Sequence, residues 1–275
     1  MSKGVKQFDG GMILIRGAGE MASGVAHKLV QCGFQVLLTE IEKPLAIRRT
    51  VAYAECVYAG RQVIESIEGI RVSSVDEARD GMRAKRVPVM VDPDLEKTQS
   101  LLRQPGTILI DARMLKGETG DHKFPGASVI ALGPGFLAPR DARFVIETNR
   151  GHDLGRVIEL GEAQTDTSLP AEVEGYASDR VLYAPLFGVF HPLRNIGDTV
   201  APGESLGQIN SRHVVSNLKG VVRGLLHDGV PVSDRTKVAD VDPRGRPELC
   251  FRISDKARAI AGGALEAVLR IVNSL

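Results

Sequence analysis

Six short apolar runs, separated by amphipathic or loop-like stretches, dominate the first 163 residues and restrict what this chain can become. They are Met12–Arg16 (MILIR), Gln35–Glu40 (QVLLTE), Pro88–Asp92 (PVMVD), Thr107–Asp111 (TILID), Ser128–Leu132 (SVIAL) and Phe144–Thr148 (FVIET). Each is rich in Val, Ile and Leu with little polar alternation, the pattern of strands buried on both faces. Glu20–Cys32, Val75–Lys85 and Leu95–Arg103 read as the helices between them, with Asp76 and Glu77 placed at the positive end of the second. Strands alternating with helices at this spacing predict βαβ units and a Rossmann-like, largely parallel α/β sheet domain over residues 1–165.

The texture changes after Gly161. AQTDTSLPAEVEGYASD reads as a polar linker, and beyond it helical periodicity is absent until Ser254. Residues 175–245 carry an internal repeat in which Gly188, Gly197, Val200, Leu206 and Ile209 recur as Gly220, Gly229, Val232, Val238 and Val241, each 32 residues later. Two such halves predict a small all-β unit with a pseudo-two-fold axis. Its YAPLFGVFHPLRNIGDTVAPGESLGQI resembles biotinyl and lipoyl domains, which implies a barrel-sandwich hybrid. Their modified lysine has no counterpart at Ile209-Asn210-Ser211, so no biotin or lipoate attachment is expected. In residues 250–275, Ser254–Val272 has helical apolar spacing with Ser254 as N-cap, and predicts a C-terminal helix returning to the α/β domain. Gly262-Gly263 in its middle suggests close packing against a neighbour.

Composition narrows the partners. Lys+Arg 35 against Asp+Glu 34 gives no basic excess, so neither nucleic acid nor a membrane surface is expected. Three scattered cysteines, Cys32, Cys56 and Cys250, form no C-x-x-C pair, and MSKGVKQFDGG lacks the apolar core of a signal peptide. The expectation is a cytoplasmic protein without a zinc site.

Gly17-x-Gly19-x-x-Ala22 follows the first strand and opens the first helix, the context a dinucleotide fingerprint requires. The glycines permit a tight turn and close approach to a pyrophosphate, and the helix start offers N–H donors. Met21 and Ala22 lie within the loop, and Glu40, 21 residues after Gly19, stands where a ribose hydroxyl would be held. Arg48-Arg49 is either a 2′-phosphate contact or a solvated helix face. Later strand ends carry polar loops that should converge at the carboxyl edge of the sheet. Arg113, Lys116, Arg150 and Arg156 are candidates for an anion pocket, and Asn149 lies beside them. Gly133-Pro134-Gly135-Phe136 offers flat backbone to a ring or phosphate. His122 and His152 are the candidate acid–base residues, though neither has metal-ligand spacing and no metal is expected.

IRGAGEMASGVAHKLVQCGFQVLLTEIEKPLAIRRTVAYAECVY, ALGPGF, VIETNRGHDLGRVI, the β unit and ISDKARAIAGGALEAVL together resemble the selenium-dependent molybdenum hydroxylase system proteins. These are bacterial accessory proteins, and the first half is similar, more distantly, to xanthine dehydrogenase maturation proteins. The resemblance implies a maturation factor that binds molybdenum cofactor, a pterin dinucleotide, and hands it to an apo molybdenum hydroxylase. Gly17 and Gly19 would then hold pyrophosphate, Glu40 ribose, and Arg113, Arg150 and Gly133–Phe136 the pterin. Two other readings stay open: an NAD(P)-dependent oxidoreductase, against which no Tyr-x-x-x-Lys set is present, and a non-catalytic scaffold with a vestigial nucleotide site. A homo-oligomer is compatible with all three.

Overall fold

A computed structural model describes residues 12–115, 124, 126–167, 170 and 172–274. The apolar runs supply six central strands: β1 (Ile13–Arg16), β2 (Val36–Glu40), β5 (Val87–Val91), β6 (Ile108–Asp111), β7 (Ser128–Leu132) and β8 (Phe144–Ile146). Two strands that the apolar pattern did not reveal, β3 (Arg61–Ile64) and β4 (Ile67–Val72), form a hairpin at one edge, and β9 (Val157–Ile158) closes the other. The resulting nine-stranded sheet has the order β3-β4-β5-β2-β1-β6-β7-β8-β9. Strands β4 to β8 of that order pair in parallel with β1 and β2 among them, while β3 and β9 run antiparallel to their neighbours.

Alternation along each strand divides its side chains between two cores. Ile13 and Ile15 face one core with α1 (Glu20–Gln31), whereas Leu14 faces the other with α3 (Val75–Arg83). Ser74 caps α3, its hydroxyl accepting from the Glu77 N–H at 3.2 Å, and the Glu77 carboxylate accepts from the Ser73 N–H at 2.8 Å. A four-residue turn of helix, α2 (Cys56–Ala59), precedes β3, and another, α4 (Gln99–Leu102), is all that forms within the expected Leu95–Arg103 helix. The reason is Asp92: its carboxylate accepts from the N–H groups of Lys97 and Thr98 and from the Thr98 hydroxyl, fixing a turn in which Leu95 has φ 59°.

The remaining strands build two four-stranded antiparallel sheets. One is β10 (Val181–Tyr183), β17 (Lys237–Asp242), β15 (Gly220–Leu225) and β12 (Thr199–Val200), in that order. The other is β14 (Arg212–Val215), β13 (Ser205–Ile209), β11 (Gly188–Pro192) and β16 (Val230–Val232). The short strands are exchanged between repeat halves: β12 pairs with β15 and β16 with β11. This large mixed sheet with two antiparallel sheets replaces the expected Rossmann-like parallel domain with a biotinyl/lipoyl-like barrel-sandwich. The difference lies at the edges, where hairpins and meanders take the place of helical crossovers.

Ile47 joins the parts, packing into the β core while its carbonyl accepts from the Leu225 N–H at 2.8 Å. The C-terminal helix, α5 (Asp255–Val272), starts at the Ser254 cap and lies along α1, where Gly24 faces Ala257. Among the described residues no helix is long and apolar enough to cross a membrane.

Candidate functional site

The glycine loop is closed by its own chain. Gly17 has φ 104°, and a Cβ there would meet the Ala112 carbonyl oxygen at 3.1 Å, so close approach of β6 requires the glycine. The two Glu40 carboxylate oxygens accept from the N–H groups of Ala18 and Ile41, each at 2.8 Å. Burial pushes the Glu40 carboxyl up, and those two N–H groups pull against it. Glu20, in the first turn of α1, stands 3.6 Å from the Arg48 guanidinium, which also donates to the Leu249 and Arg252 carbonyls. The Ala54 N–H donates to the Ala18 carbonyl and the Tyr53 N–H to the Ser23 hydroxyl, seating residues 53 and 54 over the loop. Ala22 is buried, and Met21 packs on the same core. The Glu40 carboxylate, expected to hold a ribose hydroxyl, is therefore engaged by the chain's own N–H groups. Arg48 is a buried clamp rather than a phosphate contact or a solvated residue.

A cavity of about 530 Å³ opens instead beyond the carboxyl ends of β6, β7 and β8. Met114, Leu115 and Pro134 line it from the loops after β6 and β7, and Thr148, Asn149 and Arg150 from the loop after β8. Tyr183 and Lys237 reach it from the β unit, and Lys256 from the first turn of α5. Gln164, Asp166 and Thr167, from the stretch that reads as a linker, complete the wall.

One buried carboxylate shapes the floor. Glu147 accepts from the N–H groups of Thr148 and Asn149, both at 2.7 Å, and from that of Gln164 at 2.8 Å. The Asn149 side-chain amide in turn donates to the Gln164 side chain at 2.7 Å. Arg150 makes a two-pronged ion pair with Asp255 at 2.7 and 3.0 Å, which holds the Asp255 carboxyl down at about 2. Lys237 and Lys256 differ from this arginine: among the described residues neither has a hydrogen-bond or ion-pair partner. Loss of solvation is the main cause that lowers the pKa of half-buried Lys256, with the Arg150 charge adding to it and the Glu20, Asp166 and Glu147 charges opposing it, whereas the Lys237 side chain is exposed at the start of β17 and keeps its charge in water.

The expected site residues thus separate. Pro134, Asn149 and Arg150 line the cavity, while Gly17, Gly19, Met21, Ala22 and Glu40 belong to the closed loop. Arg113 lies against Asp111, with Nη2 at 2.6 Å, and Arg156 against Asp153 at 2.9 Å, so both charges are already matched. Phe136 is buried in a sheet core and offers no stacking face. Gly133 turns at φ 81° against the Thr148 side chain, and Gly135 at φ 93°. His152 is exposed and outside the cavity lining. Lys116 and His122 lie outside the described residues. Sequence reasoning missed Lys237, Lys256, Tyr183 and Glu147. Only Lys256 carried a signal, its place just after the Ser254 cap. Among the described residues no group of three or more His, Cys, Asp or Glu is placed to hold a metal ion.

No family model matches the chain. It is 41% identical over 262 residues to the uncharacterized protein YqeB of Escherichia coli (strain K12), covering 95% of this chain and 48% of that protein. The chain therefore spans about half the length of the curated relative it matches. Among solved structures it is similar to the ectoine utilization protein EutE (DoeB) of Ruegeria pomeroyi, at 12% identity and a TM-score of 0.25 over 84% of this chain and 86% of that one. An aspartoacylase family protein of Mesorhizobium loti matches at 15% identity and a TM-score of 0.26, over 85% of each chain. Likeness at this level transfers no activity. No family model matches and the 41% identical relative is uncharacterized, so the expected place among molybdenum hydroxylase accessory proteins does not stand. With it go the selenium link, the maturation role, the NAD(P) oxidoreductase alternative, and the pterin and nicotinamide ligands. For the ligands, the physical reason is at Glu40, whose carboxylate is already satisfied by the Ala18 and Ile41 N–H groups.

Proposed function

We infer that the chain binds a small anionic molecule in the cleft between the carboxyl edge of the large sheet and the β unit. The observation that carries this reading is Lys237 and Lys256, two lysines without an ion-pair partner among the described residues, lining one cavity of about 530 Å³. That volume suits a metabolite-sized ligand. At half-buried Lys256 an incoming carboxylate or phosphate offsets part of the cost of removing an ammonium from water, and exposed Lys237 adds positive charge to the same lining. Thr148, Asn149 and Gln164 add neutral polar groups that orient the ligand. Asp166 lies on the same wall, and its charge acts on Lys256.

The test is calorimetric titration with phosphate, pyruvate and 2-oxoglutarate, on the native chain and on Lys237→Met and Lys256→Met. Each substitution should weaken binding by about tenfold, equivalent to roughly 1.4 kcal/mol. Binding should also weaken as ionic strength rises. No binding of any of the three, or binding indifferent to both substitutions, refutes the reading.

A further inference from the structure

We propose that His227 is a pH-sensitive latch between the β unit and the α/β domain, its protonated ring pairing across the junction with the Glu55 carboxylate.

His227 lies half-buried in the turn between β15 and β16. Its ring stacks on Tyr58 of α2, with centroids 3.9 Å apart and planes at 11°. The Tyr58 hydroxyl donates to the Pro44 carbonyl at 3.0 Å, which fixes the ring on which His227 rests. The two imidazole nitrogens meet different partners. Nδ1 is 2.9 Å from the Asp228 carbonyl oxygen, which can only accept, so Nδ1 carries a hydrogen in either charge state. The neutral ring therefore keeps its lone pair on Nε2, and Nε2 stands 3.7 Å from Glu55 Oε1. A lone pair facing a carboxylate is repelled by it. A second proton can only go to Nε2, where it turns that repulsion into an ion pair. The charged ring is also attracted by the face of Tyr58.

The neighbouring charges leave this contact intact. Arg49 Nη1 donates to the same Glu55 oxygen at 3.2 Å, and Arg49 Nε donates to the Leu225 carbonyl at 2.7 Å. Glu55 is thus held in place by an arginine that itself grips the end of β15. The Asp228 carboxylate is engaged by His191 Nδ1 at 2.7 Å, a contact that stays within the β unit. The Leu225 N–H to Ile47 carbonyl bond crosses the junction beside His227 and does not titrate. Protonation of His227 adds a further link at that place. The β unit carries Tyr183 and Lys237 to the cleft, but the latch does not depend on what the cleft binds.

Glu55 and Tyr58 stabilise only the charged ring. The contribution of His227 to stability is therefore full in acid and is lost as pH rises and the ring gives up its proton.

The experiment is urea unfolding of the native chain, His227→Gln, Glu55→Gln and the double variant. It is run at about pH 5 and about pH 8, the ends of the range in which imidazole changes charge. At the lower pH, His227→Gln should reduce the folding equilibrium constant by about two- to fivefold, the range of a partly exposed ion pair. At the higher pH the loss should be clearly smaller. In the Glu55→Gln background the effect of His227→Gln should be the same at both pH values. His191→Gln should leave the pH dependence of the His227 effect in place, since its own partner lies within the β unit. An effect of His227→Gln in the native background that is equal at both pH values or larger at the higher one overturns the proposal. So does a pH dependence that survives Glu55→Gln or disappears with His191→Gln.

Discussion

Gly263, in the middle of α5, packs so closely on the backbone carbonyl of Gly155 that a Cβ at this position would clash with it. Its neighbour Gly262 is exposed and would meet nothing within 4 Å. Adjacent glycines in one helix therefore have opposite reasons to be there. Gly263→Ala forces helix and loop apart and should destabilise by about 1–3 kcal/mol, the usual cost of overpacking. Gly262→Ala removes only backbone freedom from the unfolded chain and should stabilise by about 0.5–1 kcal/mol. Urea unfolding of the two variants checks both signs, and equal effects would contradict this packing.

That pair also marks how far the sequence could be read. The Gly-Gly step announced a close contact, but its partner, Gly155, is over a hundred residues away and carries no matching pattern. Each of the six apolar runs contains a strand, because burial on both faces leaves a continuous hydrophobic signature. The β3–β4 hairpin was hidden because its edge strands are partly polar and its turn uses Glu65 and Ser66, at φ 43° and 77°, in place of Gly or Asn. The glycine loop was legible as a turn but not as an occupied one, since nothing local says that Glu40 folds back onto Ala18. Arg150 was found and Lys256 was not, because their proximity is created by the Asp255 ion pair across the chain.

The floor of the cleft depends on Glu147. Glu147→Gln keeps one carbonyl-type acceptor and turns an NH₂ toward backbone N–H groups that still need one. Leaving buried donors unmatched costs about 1–3 kcal/mol. Because Thr148, Asn149 and Gln164 all line the cavity, phosphate binding should weaken as well, in proportion larger than for a distant substitution of equal stability cost. Calorimetry beside an unfolding curve separates the two effects; intact binding in a destabilised Glu147→Gln would show that this floor does not shape the site.

In the β unit, Arg180 and Asp240 form a buried ion pair at 2.7 and 3.0 Å, with Arg223 3.9 Å from the same carboxylate. Asp240→Asn leaves buried guanidinium charge without its counter-ion and should cost about 3–5 kcal/mol. Replacing both partners, Arg180→Met with Asp240→Leu, should recover much of that loss. Unfolding midpoints of the single and double variants test this, and a double variant as unstable as the single would contradict it.

Acid should reveal the Arg150–Asp255 pair. Its folded-state carboxyl titrates at about 2 against an ordinary value of 3.8, so its contribution is complete above about pH 4 and is lost as pH falls toward 2. Asp255 is exposed, so the contribution is small. The difference in stability between native protein and Asp255→Asn should therefore be constant from pH 7 to about 4 and shrink below that. A difference that instead grew on acidification would reverse the assigned sign.

Thiol chemistry gives the most direct check on the packing around α2. Cys32 is exposed at the end of α1, whereas Cys56 and Cys250 are buried. Burial pushes the Cys56 thiol up to about 12, with the Glu55 charge adding to the effect, and burial raises Cys250 too. Because the thiolate is the reactive form, both should be inert at pH 8. Titration of the native protein with a disulfide reagent should release one equivalent quickly, at Cys32, and the other two only on unfolding. Rapid reaction of Cys56 in the native state would mean that Tyr53 and the β3–β4 hairpin do not cover it as described.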